Sequence, residues 1–151
     1  MRAIVDGLVV SFATAADEEW LVRNDSNRHI SPRLVSQKIA AQEYIVARFR
    51  GDLAGYIRLS SFWSFIPMLD IIAVEEALRR QGIGRALLGF LEKHARATGQ
   101  EIILSSSQAD EPEPQAWHRA MGFKDAGAIV DLAPLQDVPE IMFVKRVGAN
   151  D

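Results

Sequence analysis

Between Leu69 and Ala95 the sequence changes its hydrophobic period at a pair of glycines, and this constrains the fold more than any other stretch. Leu69, Ile71, Ile72, Ala73 and Val74 form a short, β-branched apolar run that suits a buried strand, whereas Ile83, Leu87, Leu88, Leu91 and Ala95 recur at helical spacing. The stretch therefore reads as strand, turn, helix. Gly82 and Gly84 have no Cβ, so the chain can tighten and a ligand can approach the main chain closely. The first amides of the helix have no intrahelical acceptor. Such N–H groups at the positive end of a helix dipole make an anion site. Arg79, Arg80 and Arg85 add cations that can hold a phosphate through paired hydrogen bonds.

Two common glycine motifs do not fit. A Walker loop needs Gly-Lys-Ser/Thr, and Gly84 is followed by Arg85-Ala86; a dinucleotide fingerprint needs a third glycine where Leu87 stands. An ordinary helix start with surface arginines is the bland alternative. Arg79-Arg80-Gln81-Gly82-Ile83-Gly84 resembles instead the Gln/Arg-x-x-Gly-x-Gly/Ala signature of the GNAT superfamily of acetyl-CoA-dependent N-acyltransferases, and Ile71-Ile-Ala-Val74 resembles that family's fourth strand. The motif-bearing resemblance covers roughly residues 68 to 123. It implies that the amides from about Arg80 to Arg85, with Arg79 and Gln81 beside them, cradle the pyrophosphate of coenzyme A. The pantetheine arm then lies against the strand end near Ile72 and Val74.

The chain has 151 residues, enough for one domain with a real core, so residues 1–151 are expected to form a single N-acyltransferase-like domain. Seventeen Lys and Arg stand against 20 Asp and Glu, a formal charge of −3, which gives no general affinity for nucleic acid or anionic membrane. There are no cysteines, which excludes disulfides and a cysteine nucleophile and agrees with a cytoplasmic location. His29, His94 and His118 are far apart without metal-ligand spacing, so no metal site is expected. Leu8 to Ala16 has the apolar look of a leader, yet Asp6 precedes it and a first strand explains it better. No run reaches the roughly 18 apolar residues of a membrane span.

Asp17 to Val22 reads as a helix with Trp20 and Leu21 buried, and Ser31-Pro32 as an N-cap and first residue of a second helix running to about Ala41. Between them, His29, Arg28 and Asp25 are substrate-contact candidates by resemblance, against the reading of solvated loop residues. Tyr44 to Phe49 alternates and, after a Gly51-Asp52 turn, pairs with the strand around Gly55, Ile57 and Leu59. Ser60 to Pro67, with Phe62, Trp63 and Phe65, reads as an aromatic loop that walls an acceptor pocket or packs under the sheet. Glu101 to Ser105 is the next strand, reached by a parallel crossover through the helix that ends near Thr98. Ala116 to Met121 reads as a short helix, and Ile129 to Leu132 and Ile141 to Val147 as the last strands. The expected fold is α/β: one mixed, mostly antiparallel sheet of six or seven strands with about four flanking helices, GNAT-like.

The resemblance implies transfer of an acyl group, most simply acetyl, from acetyl-CoA to a small-molecule or peptide amine by direct attack. In the family, the helix ending in Gly-Phe carries a tyrosine that protonates the departing thiolate; aligned on Gly122, that position is His118, and the family's asparagine falls on Glu111. His118 is therefore the candidate acid. The alternative is a half-exposed helix residue whose neighbour Trp117 does the packing, with the thiolate taking its proton from water. Asp70, at a position where some members carry an acid/base residue, is the candidate base or ammonium attractor. Asp70, Asp110, Glu111 and Glu113 point to a cationic acceptor. A serine intermediate from Ser105 to Ser107 with His118 lacks nucleophile-elbow spacing. The alternative function is a coenzyme A-binding sensor or partner-binding module without catalysis, and a homodimer is left open.

Overall fold

The structure, a computed structural model, describes residues 6–25 and 30–148. Its elements are β1 (Leu8–Phe12), α1 (Glu18–Asn24), α2 (Pro32–Ala40), β2 (Tyr44–Phe49), β3 (Asp52–Phe62), β4 (Ile66–Val74), α3 (Ile83–Ala97), β5 (Ile102–Gln108), α4 (Pro112–Ala120), β6 (Lys124–Ile129) and β7 (Glu140–Arg146). Short 3-10 turns occupy Ala15–Asp17 and Glu76–Leu78. The strands form one seven-stranded sheet in the order β1-β2-β3-β4-β5-β7-β6. Four of the described pairings are antiparallel and the β4–β5 pairing is parallel, with α3 as its crossover. This is the mixed, mostly antiparallel α/β fold that the sequence implies. No helix among the described residues is long and apolar enough to cross a membrane.

The chain packs as two compact units, one drawn from Met1–Leu59 with Ile71–Leu91, the other from Ser60–Asp70 with Glu92–Asp151. In the first unit, Leu21 of α1 and Val35 of α2 pack with Tyr44, Val46 and Tyr56 of the sheet. Tyr44 to Ala47 are all 0% exposed, so β2 is buried on both faces instead of alternating. Ile45 and Ala47 fill the apolar face, and Tyr44 and Val46 are buried as well on the face that carries Arg48. Ser31 caps α2, its Oγ accepting from the Leu34 amide at 3.2 Å ahead of Pro32. Ile83, Leu87, Leu88 and Leu91 of α3 are all buried, as their spacing requires. The β2–β3 turn is one residue earlier than expected. Arg50 and Gly51 have φ of 54° and 91°, and Asp52 already pairs with Phe49.

In the second unit, Leu69 pairs with Ser105 and Ser105 with Phe143, so these three side chains share one face of the sheet. That face carries α4: the His118 ring stacks on Phe143 at 4.5 Å between centroids. It also carries the second half of α3, where Glu92 Oε2 lies 2.5 Å from Lys145 Nζ. Asp70, Ser106, Met142 and Glu140 belong to the opposite face by alternation.

Three expectations fail in this unit. Ser60 to Pro67 is not a loop: β3 runs to Phe62 and β4 starts at Ile66 around a turn of three residues, Trp63, Ser64 and Phe65. Its central residues Trp63 and Ser64 have φ of 54° and 71°, and the Phe65 amide donates to the Phe62 carbonyl at 3.2 Å. Neither residue is a usual former of such a turn, so nothing in composition marked it. With Trp63 73% and Phe65 61% exposed, these rings do not pack under the sheet. Helix α4 begins at Pro112, not Ala116, because prolines are tolerated in a first turn whose amides have no acceptor. Strand β6 is Lys124–Ile129, not Ile129 to Leu132; all six of its residues are exposed, so no hydrophobic pattern betrays it.

Candidate active site

In the first unit, β4 ends in Ile72, Ala73 and Val74, all half-buried. The approach of β3 to this end depends on Gly55. A Cβ there would sit 2.7 Å from the Ala73 carbonyl oxygen and 3.3 Å from Val74 Cα. Past Val74 the chain turns back on itself, with Arg79 Nε donating to the Val74 carbonyl at 3.1 Å. Arg80 (φ 65°) and Gly82 (φ 88°) make the reversal into α3, whose first ladder bond runs from the Ala86 amide to the Gly82 carbonyl at 3.0 Å. Arg79, Arg80, Gln81, Gly82 and Arg85 are exposed, Gly84 is half-buried and Ile83 is 1% exposed, anchoring the turn to the core. Among the described residues, the amides of Arg80, Gln81 and Gly82 have no protein acceptor. Those of Ile83, Gly84 and Arg85 open a helix. The turn therefore presents consecutive N–H groups and cations to solvent, which suits a phosphate anion. Gly84, the second helical residue, needs no positive φ. Its value is the missing side chain beside those amides. Gly55 was not singled out from the sequence; a glycine inside an alternating strand is the signal for such close approach.

The same unit holds a buried polar cluster that the sequence left unconnected. Asp25 is 6% exposed and accepts from Tyr44 Oη at 2.6 Å, Tyr56 Oη at 3.1 Å and Arg58 Nη1 at 2.8 Å. Burial first, and then the Asp25 carboxylate, hold the Tyr44 hydroxyl well above the ordinary phenol range. Asp25 is thus a buried structural anion, not a solvated loop residue. Arg28 and His29 lie outside the described residues.

In the second unit, Asp70 is half-buried on β4, and Ser60 Oγ donates to its Oδ1 at 2.8 Å. His118 is 4% exposed, against the expectation of a half-exposed helix residue; Trp117 is the half-buried one. The imidazole is packed against Phe143, Phe123 and Trp117 and held at both nitrogens. Nδ1 lies 2.7 Å from the Pro114 carbonyl and Nε2 lies 2.6 Å from Ser105 Oγ. Burial lowers its pKa, the Pro114 contact works against that, and Arg119 lowers it further. Glu111 does not contribute to this shift. Ser105, 0% exposed, was read from the sequence as one serine of three; the fold makes it the partner of His118 and places its Oγ 3.3 Å from the Leu69 carbonyl. Among the described residues no three His, Asp or Glu side chains converge as a metal site needs.

Residues 10–123 match the acetyltransferase (GNAT) family. That span is most of the chain, and the chain belongs to this family of acetyltransferases. Among solved structures, it is similar to a GNAT-family acetyltransferase from Bacillus cereus, with a TM-score of 0.76 at 21% identity over 92% of this chain and 96% of that one. A ribosomal-protein-alanine N-acetyltransferase from Brucella melitensis gives 0.76 at 22% identity over 91% and 99%. The acetyltransferase yncA from Salmonella typhimurium, solved with acetyl-CoA, gives 0.73 at 18% identity over 94% and 95%. No curated protein matches.

Proposed function

We propose that residues 1–151 act as a single N-acyltransferase domain that transfers the acetyl group of acetyl-CoA to an amine by direct attack in a ternary complex. The observation that carries this reading is the β4–α3 turn, where consecutive unpaired amides stand among Arg79, Arg80 and Arg85. Arg80 to Arg85, with Arg79 and Gln81, bind the pyrophosphate, and Ile72 and Val74 supply the strand edge for the pantetheine arm. The amine nitrogen attacks the thioester carbonyl, a C–N bond forms as the C–S bond breaks, and coenzyme A leaves as its thiolate. Backbone amides can stabilise the intervening oxyanion without a charged side chain.

An alkyl ammonium of pKa ~10.4 is neutral only about once in 2,500 molecules at pH 7, a cost of roughly 4.6 kcal/mol that a base reduces. Asp70 takes that proton through water, and its charge favours a cationic acceptor. His118 supplies the thiolate's proton, and because its Nε2 meets Ser105 Oγ, the proton passes through that hydroxyl. An imidazolium with a depressed pKa gives its proton readily to a thiolate whose thiol has a pKa of ~8.5.

The second reading, a coenzyme A sensor without catalysis, is favoured by the burial of His118. Acetyl-CoA consumption with a panel of amines separates the two. Gly84→Glu places a carboxylate beside the turn amides and should abolish acetyl-CoA binding in calorimetry. Unchanged affinity in a folded variant would sink the cofactor assignment.

A further inference from the structure

The sheet face of the second unit that carries Asp70 is turned away from α4 and bears a second carboxylate, Glu140 of β7. Asp70 follows Leu69, the partner of Ser105, so it is level with Ser106, which pairs with Met142; Glu140 lies two residues beyond Met142. With two strand spacings across and two residues along, the Cα atoms of Asp70 and Glu140 stand about 12 Å apart. Each carboxylate is held by a serine on the neighbouring strand, Ser60 Oγ donating to Asp70 at 2.8 Å and Ser106 Oγ to Glu140 Oε2 at 2.7 Å. Gln136 donates to the other oxygen of Glu140 at 3.0 Å.

Among the described residues, both donors to the Glu140 carboxylate, Ser106 and Gln136, are neutral. Among the described residues no Lys or Arg is within ion-pair distance of it, although Arg119, Lys145 and Glu92 in the same unit are all paired. The cations on its face lie toward the other end of the strands: Lys124 opposite Val144, and Arg146 opposite Ile102. Apolar groups accompany the acids. Met142 lies beside Ser106 and Ile129, 46% exposed, pairs with Glu140. Phe62 shares the parity of Ser60, and its ring meets Trp63 at 4.9 Å. Carboxylates oriented by hydroxyls, set along an apolar strip with aromatic faces, match an alkyl chain with an ammonium at each end.

We propose that Glu140, oriented by Ser106, reads a second ammonium group of the acceptor, so that the acceptor class is a diamine or polyamine whose reacting nitrogen is served by Asp70. This rests on the amine-transfer reading above. Glu140 is then the specificity-determining residue, acting on KM more than on kcat. The test compares diaminobutane, diaminohexane and diaminooctane with the matching monoamines under saturating acetyl-CoA. For the longer chains, whose nitrogens can span about 8–12 Å, the wild type should favour diamine over monoamine in kcat/KM by at least about tenfold. Glu140→Gln should bring that ratio to near one, mostly through KM, and Ser106→Ala should reduce it partway. Glu101→Gln, an exposed carboxylate outside this strip, should preserve it. A ratio near one in the wild type, or a ratio retained in Glu140→Gln, overturns the inference. Monoamine turnover in those cases leaves the transfer reading standing. Acetylation of no amine by a chain that still binds acetyl-CoA in calorimetry overturns both.

Discussion

A carbonyl oxygen can only accept, so the 2.7 Å contact between His118 Nδ1 and Pro114 fixes the hydrogen on Nδ1 and leaves Nε2 to accept from Ser105 when the ring is neutral. When the ring is charged, Nε2 donates to Ser105 Oγ and the serine hydrogen turns to the Leu69 carbonyl, 3.3 Å away. Both protonation states keep their hydrogen bonds, which a relay requires. If the relay operates, Ser105→Ala and His118→Ala should lower kcat alike and flatten the same limb of the pH–rate profile. Alanine at 118 with an unchanged profile assigns His118 to packing alone. The burial that lowers this pKa also has a stability sign. The folded state prefers the neutral ring, so the contribution is complete above the ordinary imidazole value of 6.5 and is lost as pH falls from there toward the depressed folded value. Thermal melts from about pH 7.5 down to 5 should fall more steeply for wild type than for His118→Asn. Equal slopes would mean that another group governs acid stability. Asp25 belongs to the same scale. Removing it leaves Arg58, 7% exposed in its side chain, as a buried cation without its carboxylate, so Asp25→Ala should cost about 3–5 kcal/mol in urea unfolding. The Asp25 partnerships were not legible beforehand, because Asp25 closes α1 whereas Tyr44 and Arg58 lie on β2 and β3, up to 33 residues away.

At the level of elements, what the sequence disclosed depended on whether an element buries one face. Helix α3 was legible because Ile83, Leu87, Leu88, Leu91 and Ala95 mark a single buried stripe. Strand β6 was not, since Lys124 to Ile129 bury neither face, and the β3–β4 turn was not, since Trp63 and Ser64 reverse the chain where glycine or asparagine is expected. The turn after β4 combines both cases. Its glycines announced it, whereas Gly55 signals a close approach on β3 without naming its partner, which the structure shows to be Ala73 and Val74. Gly55→Ala places a methyl 2.7 Å from the Ala73 carbonyl, a backbone atom that cannot rotate away. The expected cost is about 1–3 kcal/mol of stability. Because the displaced residues are Ala73 and Val74, acetyl-CoA affinity should fall as well. Gly89→Ala, where no atom lies within 4 Å of the added Cβ, is the control in the same two assays. An equal loss in both variants would remove the argument from close approach.

For the whole chain, net charge and local charge make opposite predictions for the same ligand. A formal charge of −3 repels the anionic phosphates of acetyl-CoA, whereas Arg79, Arg80 and Arg85 attract them. Screening decides which dominates. At about 0.15 M salt the Debye length is about 8 Å, so a phosphate bound at the turn responds to the arginines beside it and hardly to carboxylates elsewhere on the surface. Raising salt from about 0.05 to 0.5 M should therefore weaken acetyl-CoA binding severalfold. The response should flatten when Arg79, Arg80 and Arg85 are all replaced by Gln, which removes the charge and keeps polar side chains at exposed positions. If the global charge governed encounter, added salt would tighten binding and the three substitutions would leave its slope unaltered. Dephospho-coenzyme A isolates the turn in the same titration, since it keeps the pyrophosphate and lacks the ribose phosphate. A salt slope that persists for this analogue in wild type and vanishes in the triple variant places the response at the pyrophosphate and the β4–α3 turn.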